Sequence, residues 1–259
     1  MLLAIDIGNT NTVIGCFRGE ELLGSFRIQS SSAYTTDEAG ILCKQLIDHH
    51  IQRPEPVHQV VLCSVVPALT AVYENMARLY FDCDAAVLSS ESPLGFEVAV
   101  KEPLQVGADR LANALAALHL HSTPCVIVDF GTATTFDVLD ARGTYRGGVI
   151  APGVITSSAE LARRAAQLFR VRIEKPPHVI GNDTRSAMQS GIYFGTVGQV
   201  ERILAGIRAE LGAEPKVIAT GGLADLWGRG IGGIQEVDVH LTLKGLAIFA
   251  RISEVGRKS

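Results

Sequence analysis

The sequence predicts an α/β protein built from two similar units, each a mixed β-sheet flanked by helices, with a shared cleft between them. Three observations support this fold class. The heptad Asp-x-Gly-Asn/Thr-x-x-Thr occurs twice, as DIGNTNT at 6–12 and as DFGTATT at 129–135. The strands and helices predicted after the first heptad recur in the same order after the second, and no low-complexity linker separates the halves. We predict one domain over residues 1–118 and another over 119–259.

The first half opens with three strands. Residues 2–7 and 12–17 are short apolar segments around the Gly/Asn/Thr turn of the first heptad, and residues 21–28 follow them closely. This pattern predicts a strand meander.

Two helices and two more strands complete the first half. Thr35 and Glu38 match a capping box, and apolar residues at helical spacing follow them. A strand is predicted at 60–66, and Pro67 suits the first position of a helix that runs to about Phe81. A last strand follows this helix.

The second half repeats this series after a helical segment at 108–121. Residues 125–130 form a predicted strand that leads into the second heptad. Its further elements are strands at 135–140 and 145–150, helices at 157–169 and 183–211, a strand at 216–220 and a closing amphipathic helix at 241–255.

Composition narrows the possible partners. The 23 Lys and Arg residues against 27 Asp and Glu give a net charge of -4, so we expect no nucleic acid or anionic membrane as partner. No stretch approaches the roughly 18 uncharged apolar residues of a membrane-spanning helix. The N-terminal apolar run is short, lacks a basic start and contains Asp6, so it predicts a buried strand and a cytoplasmic protein.

The cysteines and histidines do not predict a metal site or a disulfide framework. The cysteine count is odd and no Cys-x-x-Cys pair occurs, which favours small core residues. The histidine pairs at 49–50 and 119–121 have no carboxylate placed beside them and suit helix surfaces or the core. The cysteines are Cys16, Cys43, Cys63, Cys83 and Cys125.

Each heptad places an aspartate at the end of a buried strand, followed at once by glycine and small polar residues. Glycine allows a ligand to approach the backbone closely, the N–H groups of such a turn bind phosphate oxygens, and the carboxylate suits hydrated Mg²⁺. A plain hairpin turn is the usual role of one such cluster. Two of them, each heading a similar strand series, favour a polyphosphate gripped from both sides of a nucleotide cleft.

Other nucleotide motifs are absent or out of context. The chain has no Gly-x-x-x-x-Gly-Lys-Ser/Thr, which excludes a P-loop. The segment GRGIGG at 228–233 matches Gly-x-Gly-x-x-Gly, but it follows a helical segment and precedes no helix start. We expect it to be a flexible loop.

Four further motifs accompany the heptads: VGADR at 106–110, GGVIAPG at 147–153, TGG at 220–222 and LTLKGL at 241–246. Together the six resemble the type III pantothenate kinase family, within the superfamily of acetate and sugar kinases, Hsp70 and actin. The resemblance covers essentially the whole chain. It implies two ribonuclease-H-like domains and a transferase that uses ATP to phosphorylate pantothenate to 4′-phosphopantothenate, the first step of coenzyme A biosynthesis.

The resemblance also implies an ATP site. Asp6 would hold Mg²⁺ through water, and Asp129 would be a ligand of a monovalent cation, K⁺ or ammonium. Gly131 belongs to the second phosphate loop. The residues implied to contact ATP are Asp6, Ile7, Gly8, Asn9, Thr10, Asn11, Thr12 and Val13 of the first loop, Thr132 of the second, and Gly221 and Gly222 against the adenosine.

The implied acceptor site is centred on Asp109, which corresponds to the catalytic base of the family. Thr184 is similar to a threonine that contacts pantothenate from the neighbouring subunit, so the resemblance implies a homodimer. Val100 stands where the family commonly has a tyrosine, which removes a phenolic hydroxyl and aromatic area. The implied pocket comprises Val100, Gly107, Ala108, Asp109, Arg110 and Thr184.

Alternatives remain at this point. Asp109 and Arg110 also suit a helix N-terminal acid and a solvated arginine. Another small-molecule kinase of the superfamily would share the phosphate loops without needing GADR. An ATP-gated interaction protein resembling Hsp70 or actin needs additional subdomains, for which 259 residues leave little room. An accessory protein that has lost catalysis is disfavoured by the presence of Asp6, Asp109 and Asp129.

Overall fold

The computed structural model describes residues 1–164, 168–228 and 230–257. In chain order the strands are β1 (Leu2–Ile7), β2 (Asn11–Arg18), β3 (Glu21–Gln29), β4 (Gln59–Ser64), β5 (Ala85–Leu88), β6 (Cys125–Phe130), β7 (Ala133–Leu139), β8 (Tyr145–Pro152), β9 (Lys216–Thr220) and β10 (Glu236–Val237). The helices are α1 (Thr36–His50), α2 (Pro67–Phe81), α3 (Ala108–Leu120), α4 (Val154–Arg164), α5 (Thr184–Leu211), α6 (Ala224–Trp227) and α7 (Leu241–Arg257). No helix in these ranges is long and apolar enough to cross a membrane.

The chain divides into two compact units. Unit 1 contains Met1–Leu120 and the chain from Leu241 onward, and unit 2 contains His121–His240. The predicted second domain, 119–259, differs from this division because it included the closing helix. The apolar side of α7 packs with α3 and β1 in the core of unit 1, and Thr242 Oγ1 donates a hydrogen bond to Asn113 Oδ1 at 2.8 Å.

The sheet of unit 1 has the strand order β3-β2-β1-β4-β5. The pairs β1–β2 and β2–β3 are antiparallel, whereas β1–β4 and β4–β5 are parallel. Alternate side chains of a strand face opposite sides of the sheet. In β1, Leu3 and Ile5 therefore join the core under α1 and α2, and Leu2 and Ala4 join the core under α3 and α7.

The sheet of unit 2 has the order β10-β9-β6-β7-β8, so it repeats the order of unit 1 element by element. Its first three strands are again antiparallel neighbours, and β9 and β10 again run parallel. Phe130 and Phe136 pack with Tyr193 of α5 and Trp227 of α6 in its core. The prediction of two similar mixed sheets is therefore confirmed.

Local signals located most element boundaries. The Thr35–Glu38 capping box is present, and Pro67 is the first residue of α2. The helix predicted at 157–169 is wrong at both ends, because α4 begins at Val154 and Leu168 is already outside a helix. Its residues 165–167, like Arg229 of the GRGIGG segment, lie outside the described ranges. The described residues of that segment form turns between α6 and β10.

Candidate active site

Asp6 lies near the carboxyl end of β1 on the face of the sheet that packs under α3. It is half-buried, and its register partner in the parallel strand β4 is Cys63. The Cys63 thiol donates a hydrogen bond to Asp6 Oδ1 at 3.4 Å. Burial raises the pKa of this thiol well above its ordinary value, and the negative charges of Asp6 and Asp109 raise it further. Cys63 therefore stays protonated and remains a donor to the carboxylate.

Asp109 lies in the first turn of α3 and is also half-buried. Its Oδ1 accepts a hydrogen bond from the backbone N–H of Arg110 at 2.8 Å, and the N-terminal end of the helix favours the negative charge. The Cys63 thiol that donates to Asp6 also has its pKa raised by the negative charge of Asp109. Two of the three predicted site aspartates thus belong to unit 1, one in β1 and one in α3.

The first heptad forms a turn of four residues, 8–11, between the paired residues Ile7 and Thr12. The N–H of Gly8 donates to the carbonyl of Asn11 at 3.0 Å inside the turn. Asn9 and Thr10 are exposed at its tip, and Thr12 is buried beneath it. The tip of this loop is therefore open to solvent.

The second heptad forms a shorter turn, residues 131–133, between the paired residues Phe130 and Thr134. The N–H of Gly131 donates to the carbonyl of Ala133 at 3.0 Å. Thr132 is exposed, and its carbonyl accepts a hydrogen bond from Thr156 Oγ1 of α4 at 2.9 Å. Helix α4 therefore contacts this loop through a side chain, in addition to the pairing of Ala133 with Pro152 of β8.

Two glycines let other segments approach this second loop. A Cβ on Gly153 would lie closer than 3.0 Å to the carbonyl of Thr132. A Cβ on Gly221 would lie closer than 3.0 Å to Asp129 Oδ1 and to the backbone of Phe130, and Gly221 has a φ of 91°. Gly221 therefore meets both a steric and a conformational requirement for glycine. It leaves the half-buried carboxylate of Asp129 in a tight backbone cradle.

The remaining predicted residues lie on other elements. Val100 is half-buried ahead of the 3₁₀ turn Pro103–Gln105 in unit 1, and Gly222 is exposed after β9 in unit 2. Thr184 is the exposed first residue of α5. It lines an open apolar groove of about 620 Å³ together with residues such as Pro152 of β8.

Sequence reasoning missed three residues that contact the site. Cys63 was expected only to fill the core, and no motif pointed to Ser30 or Thr156. Each acts through a contact with a residue far away in the chain, so only a strand-register prediction pairing β4 with β1 could have indicated Cys63 beside Asp6.

The carboxylates suit weakly held cations rather than a closed metal centre. Within the described ranges, no group of three or more His, Cys, Asp or Glu side chains could hold a metal ion. Mg²⁺ keeps several waters and is commonly bound through one or two carboxylates plus substrate phosphates, which fits the single carboxylate of Asp6 beside a phosphate-type loop. The backbone cradle around Asp129 likewise fits a monovalent cation.

Two units with one strand order, each with an Asp-x-Gly turn after its first strand, define a duplicated α/β fold class. Solved structures support this class: a Baf-family protein from Campylobacter jejuni has 17% identity and a TM-score of 0.63, covering 98% of this chain and 99% of that one. A ROK hexokinase from Thermus thermophilus has 12% identity and a TM-score of 0.54, covering 98% of this chain and 99% of that one. These likenesses concern the fold alone.

Sequence comparison identifies the family. The family model of type III pantothenate kinase matches residues 2–206. The type III pantothenate kinase of Myxococcus xanthus (strain DK1622) is 46% identical over 248 residues, covering 96% of this chain and 97% of the relative. The type III pantothenate kinase of Anaeromyxobacter dehalogenans (strain 2CP-C) is 47% identical, covering 96% of this chain and 98% of the relative. The chain belongs to the type III pantothenate kinase family.

Proposed function

We propose that this protein transfers the γ-phosphoryl group of ATP to the primary hydroxyl of pantothenate, which gives 4′-phosphopantothenate and ADP as the first step of coenzyme A biosynthesis in the cytoplasm. Family membership over nearly the whole chain supports the reaction. The observation that carries the proposal is the pair of half-buried carboxylates in unit 1, Asp6 held by the buried Cys63 thiol and Asp109 in the first turn of α3.

Both heptad loops bind the phosphates of ATP in this proposal. Backbone N–H groups at the exposed tips, around Thr10 and Thr132, contact phosphate oxygens, and Gly221 and Gly222 contact the adenosine. Asp6 would hold Mg²⁺ through water, and Asp129 would hold K⁺ or ammonium. When bound, these cations neutralise charge on the phosphates, which is the main requirement of a loose phosphoryl-transfer transition state.

Asp109 is the general base. It accepts the proton of the pantothenate hydroxyl as that oxygen attacks the γ-phosphorus, and the bond to the β–γ bridging oxygen breaks to release ADP. Carboxylates are weak bases, but the proton leaves late in a loose transition state, so positioning suffices. Arg110 pairs with the pantothenate carboxylate or steadies the moving phosphoryl group.

Thr184 and a homodimer complete the acceptor site. Thr184 is exposed at the edge of the apolar groove between α4 and α5, and large apolar side chains on this side of unit 2, such as Ile155 and Leu161, are exposed. An exposed apolar surface of this kind supports association of two copies. The partner's copy of this helix then supplies its threonine to the pantothenate pocket, where Val100 replaces the aromatic residue common in the family.

The test is ADP release by the purified protein with ATP, Mg²⁺ and K⁺. Pantothenate is compared with a panel of sugars, with acetate and with no acceptor, and Na⁺ replaces K⁺ in a parallel series. Turnover that requires pantothenate and falls in Na⁺ is the expected result. Turnover with another acceptor would assign a different small-molecule kinase, and hydrolysis without any acceptor would favour an ATP-gated interaction protein.

A further inference from the structure

Ser30, which directly follows β3, makes three hydrogen bonds to the first heptad loop. Its hydroxyl donates to the carbonyl of Gly8 at 2.6 Å and lies 2.9 Å from Thr12 Oγ1. Its backbone N–H donates to the carbonyl of Thr10 at 3.0 Å. One half-buried residue therefore contacts three of the seven residues of the heptad.

These bonds fix the orientation of two peptide planes at the tip of the loop. In a planar trans peptide, the carbonyl of one residue and the N–H of the next point in opposite directions. Because the carbonyls of Gly8 and Thr10 point toward Ser30, the N–H groups of Asn9 and Asn11 point away from it. Two alternate donors of the loop are thus turned away from Ser30.

The sheet also restrains the base of the loop, where Asn11 pairs with Gln29 of β3. The turn is closed at its base by the pairing of Ile7 with Thr12 and internally by the bond from Gly8 to Asn11. Gly8 lacks the side chain that limits backbone rotation in other residues. The third strand, through Ser30, supplies the contact that selects one orientation of the Gly8 peptide.

We propose that Ser30 is a positioning residue for the first phosphate loop, holding the Asn9 and Asn11 N–H groups in the direction from which they meet phosphate oxygens. This inference rests on the proposed role of the loop in binding ATP. Preorganised donors bind an anion without an entropic cost of ordering. Loss of the hydroxyl should therefore weaken nucleotide binding more than it weakens the acceptor site.

The variants are Ser30→Ala, which removes the hydroxyl, and Ser30→Thr, which keeps it. Ser25→Ala is the matched control, because Ser25 is a half-buried serine of β3, the strand that Ser30 follows, and lies opposite Gly15, away from the loop. ATP affinity is measured calorimetrically without acceptor, and KM for ATP and for pantothenate are measured separately. Hydrogen exchange of the peptide that contains residues 8–12 reports the order of the loop.

Ser30→Ala should weaken ATP binding about tenfold, equivalent to ~1.4 kcal/mol, raise KM for ATP in parallel and speed exchange in the loop. KM for pantothenate should stay within about twofold, because the acceptor residues on α3 do not contact Ser30. Ser30→Thr should restore most of the affinity, and Ser25→Ala should resemble the wild type.

Unchanged ATP affinity in Ser30→Ala, or an equal loss in Ser25→Ala, overturns the positioning role. An equal rise in both KM values also overturns it, because that pattern indicates general destabilisation. If the wild-type protein binds ATP but does not phosphorylate pantothenate, the proposed function is refuted. The role of Ser30 can then still be tested by comparing the ATP affinities of the variants. A wild type without ATP affinity refutes both.

Discussion

The two heptads have the same sequence pattern but form different turns. By spacing alone, Thr135 of the second heptad corresponds to Thr12 of the first. In the structure Thr134 takes that place, because it pairs with Phe130 as Thr12 pairs with Ile7, and both threonines are 1% exposed. The second turn is one residue shorter. A shift of one residue moves each side chain to the opposite face of the sheet, so spacing in the heptad does not determine which threonine is buried.

The loops also differ in what holds them. Ser30 joins the buried Thr12 to the first loop from a neighbouring strand, whereas Thr156 of α4 holds the second loop through the carbonyl of Thr132. Thr134 Oγ1 has no hydrogen-bond partner in the part of the chain that the structure describes. Similar phosphate-type loops are thus stabilised by unrelated contacts, and variants can test each set separately.

The largest expected difference between the units concerns catalysis, because only unit 1 carries the proposed base. Asp109→Asn should lower kcat at least about a hundredfold, the low end of general-base effects, while ATP affinity measured by calorimetry stays near the wild-type value. Asp129→Asn in unit 2 is the comparison, and it should mainly raise the K⁺ concentration needed for activity. Near-normal turnover of Asp109→Asn would remove this residue from the base role.

Gly221→Ala should have the next largest effect, and on unit 2 alone. The added Cβ meets Asp129 Oδ1 and the Phe130 backbone, and the positive φ is strained for alanine, so we expect a loss of about 1–3 kcal/mol in the free energy of unfolding. Urea titration measures it. Gly198→Ala is the control, because a Cβ there meets nothing within 4 Å in α5, and alanine favours helix. Equal stability of the two variants would contradict the cradle around Asp129.

Thr156→Val tests the helix contact of the second loop. It removes the hydrogen bond to the Thr132 carbonyl at nearly constant volume and should raise KM for ATP by about threefold to tenfold, as expected for one hydrogen bond. Ser157→Ala is the control: it removes a hydroxyl from the next residue of the same helix and should leave KM for ATP unchanged. If Thr156→Val binds ATP normally while Ser30→Ala does not, only the first loop needs a side-chain anchor.

The smallest expected effect is on the free energy of unfolding. Replacing threonine by valine at residue 12 and, separately, at residue 134 tests whether the two buried threonines have different surroundings. Thr12→Val breaks the contact with Ser30 and should destabilise the protein by about 1 kcal/mol, whereas Thr134→Val removes a buried hydroxyl without a described partner and should be neutral or stabilising. Chemical denaturation of both variants measures the size and sign of each change in the free energy of unfolding. Destabilisation of equal size would mean that the two threonines have equivalent surroundings.

Much of the fold could be predicted because its signals are local. The capping box at Thr35, Pro67 at the start of α2 and the apolar strands around each heptad depend on residues a few positions apart. The helix predicted at 157–169 extends too far, because Leu168 already lies outside a helix. Periodicity alone carried no stop signal there.

The sequence by itself determined the family, the two aspartate-glycine turns and the repeated order of strands, because these follow from motifs and short-range patterns. Only the tertiary structure decided where α7 packs, which threonine of the second heptad is buried, and that Cys63 and Ser30 contact the first loop and its aspartate. The amphipathic pattern of a helix indicates that one face is buried, but it does not indicate which sheet that face packs against. The contact between Cys63 and Asp6 joins residues 57 positions apart, and such pairs form only when strands from distant parts of the chain align.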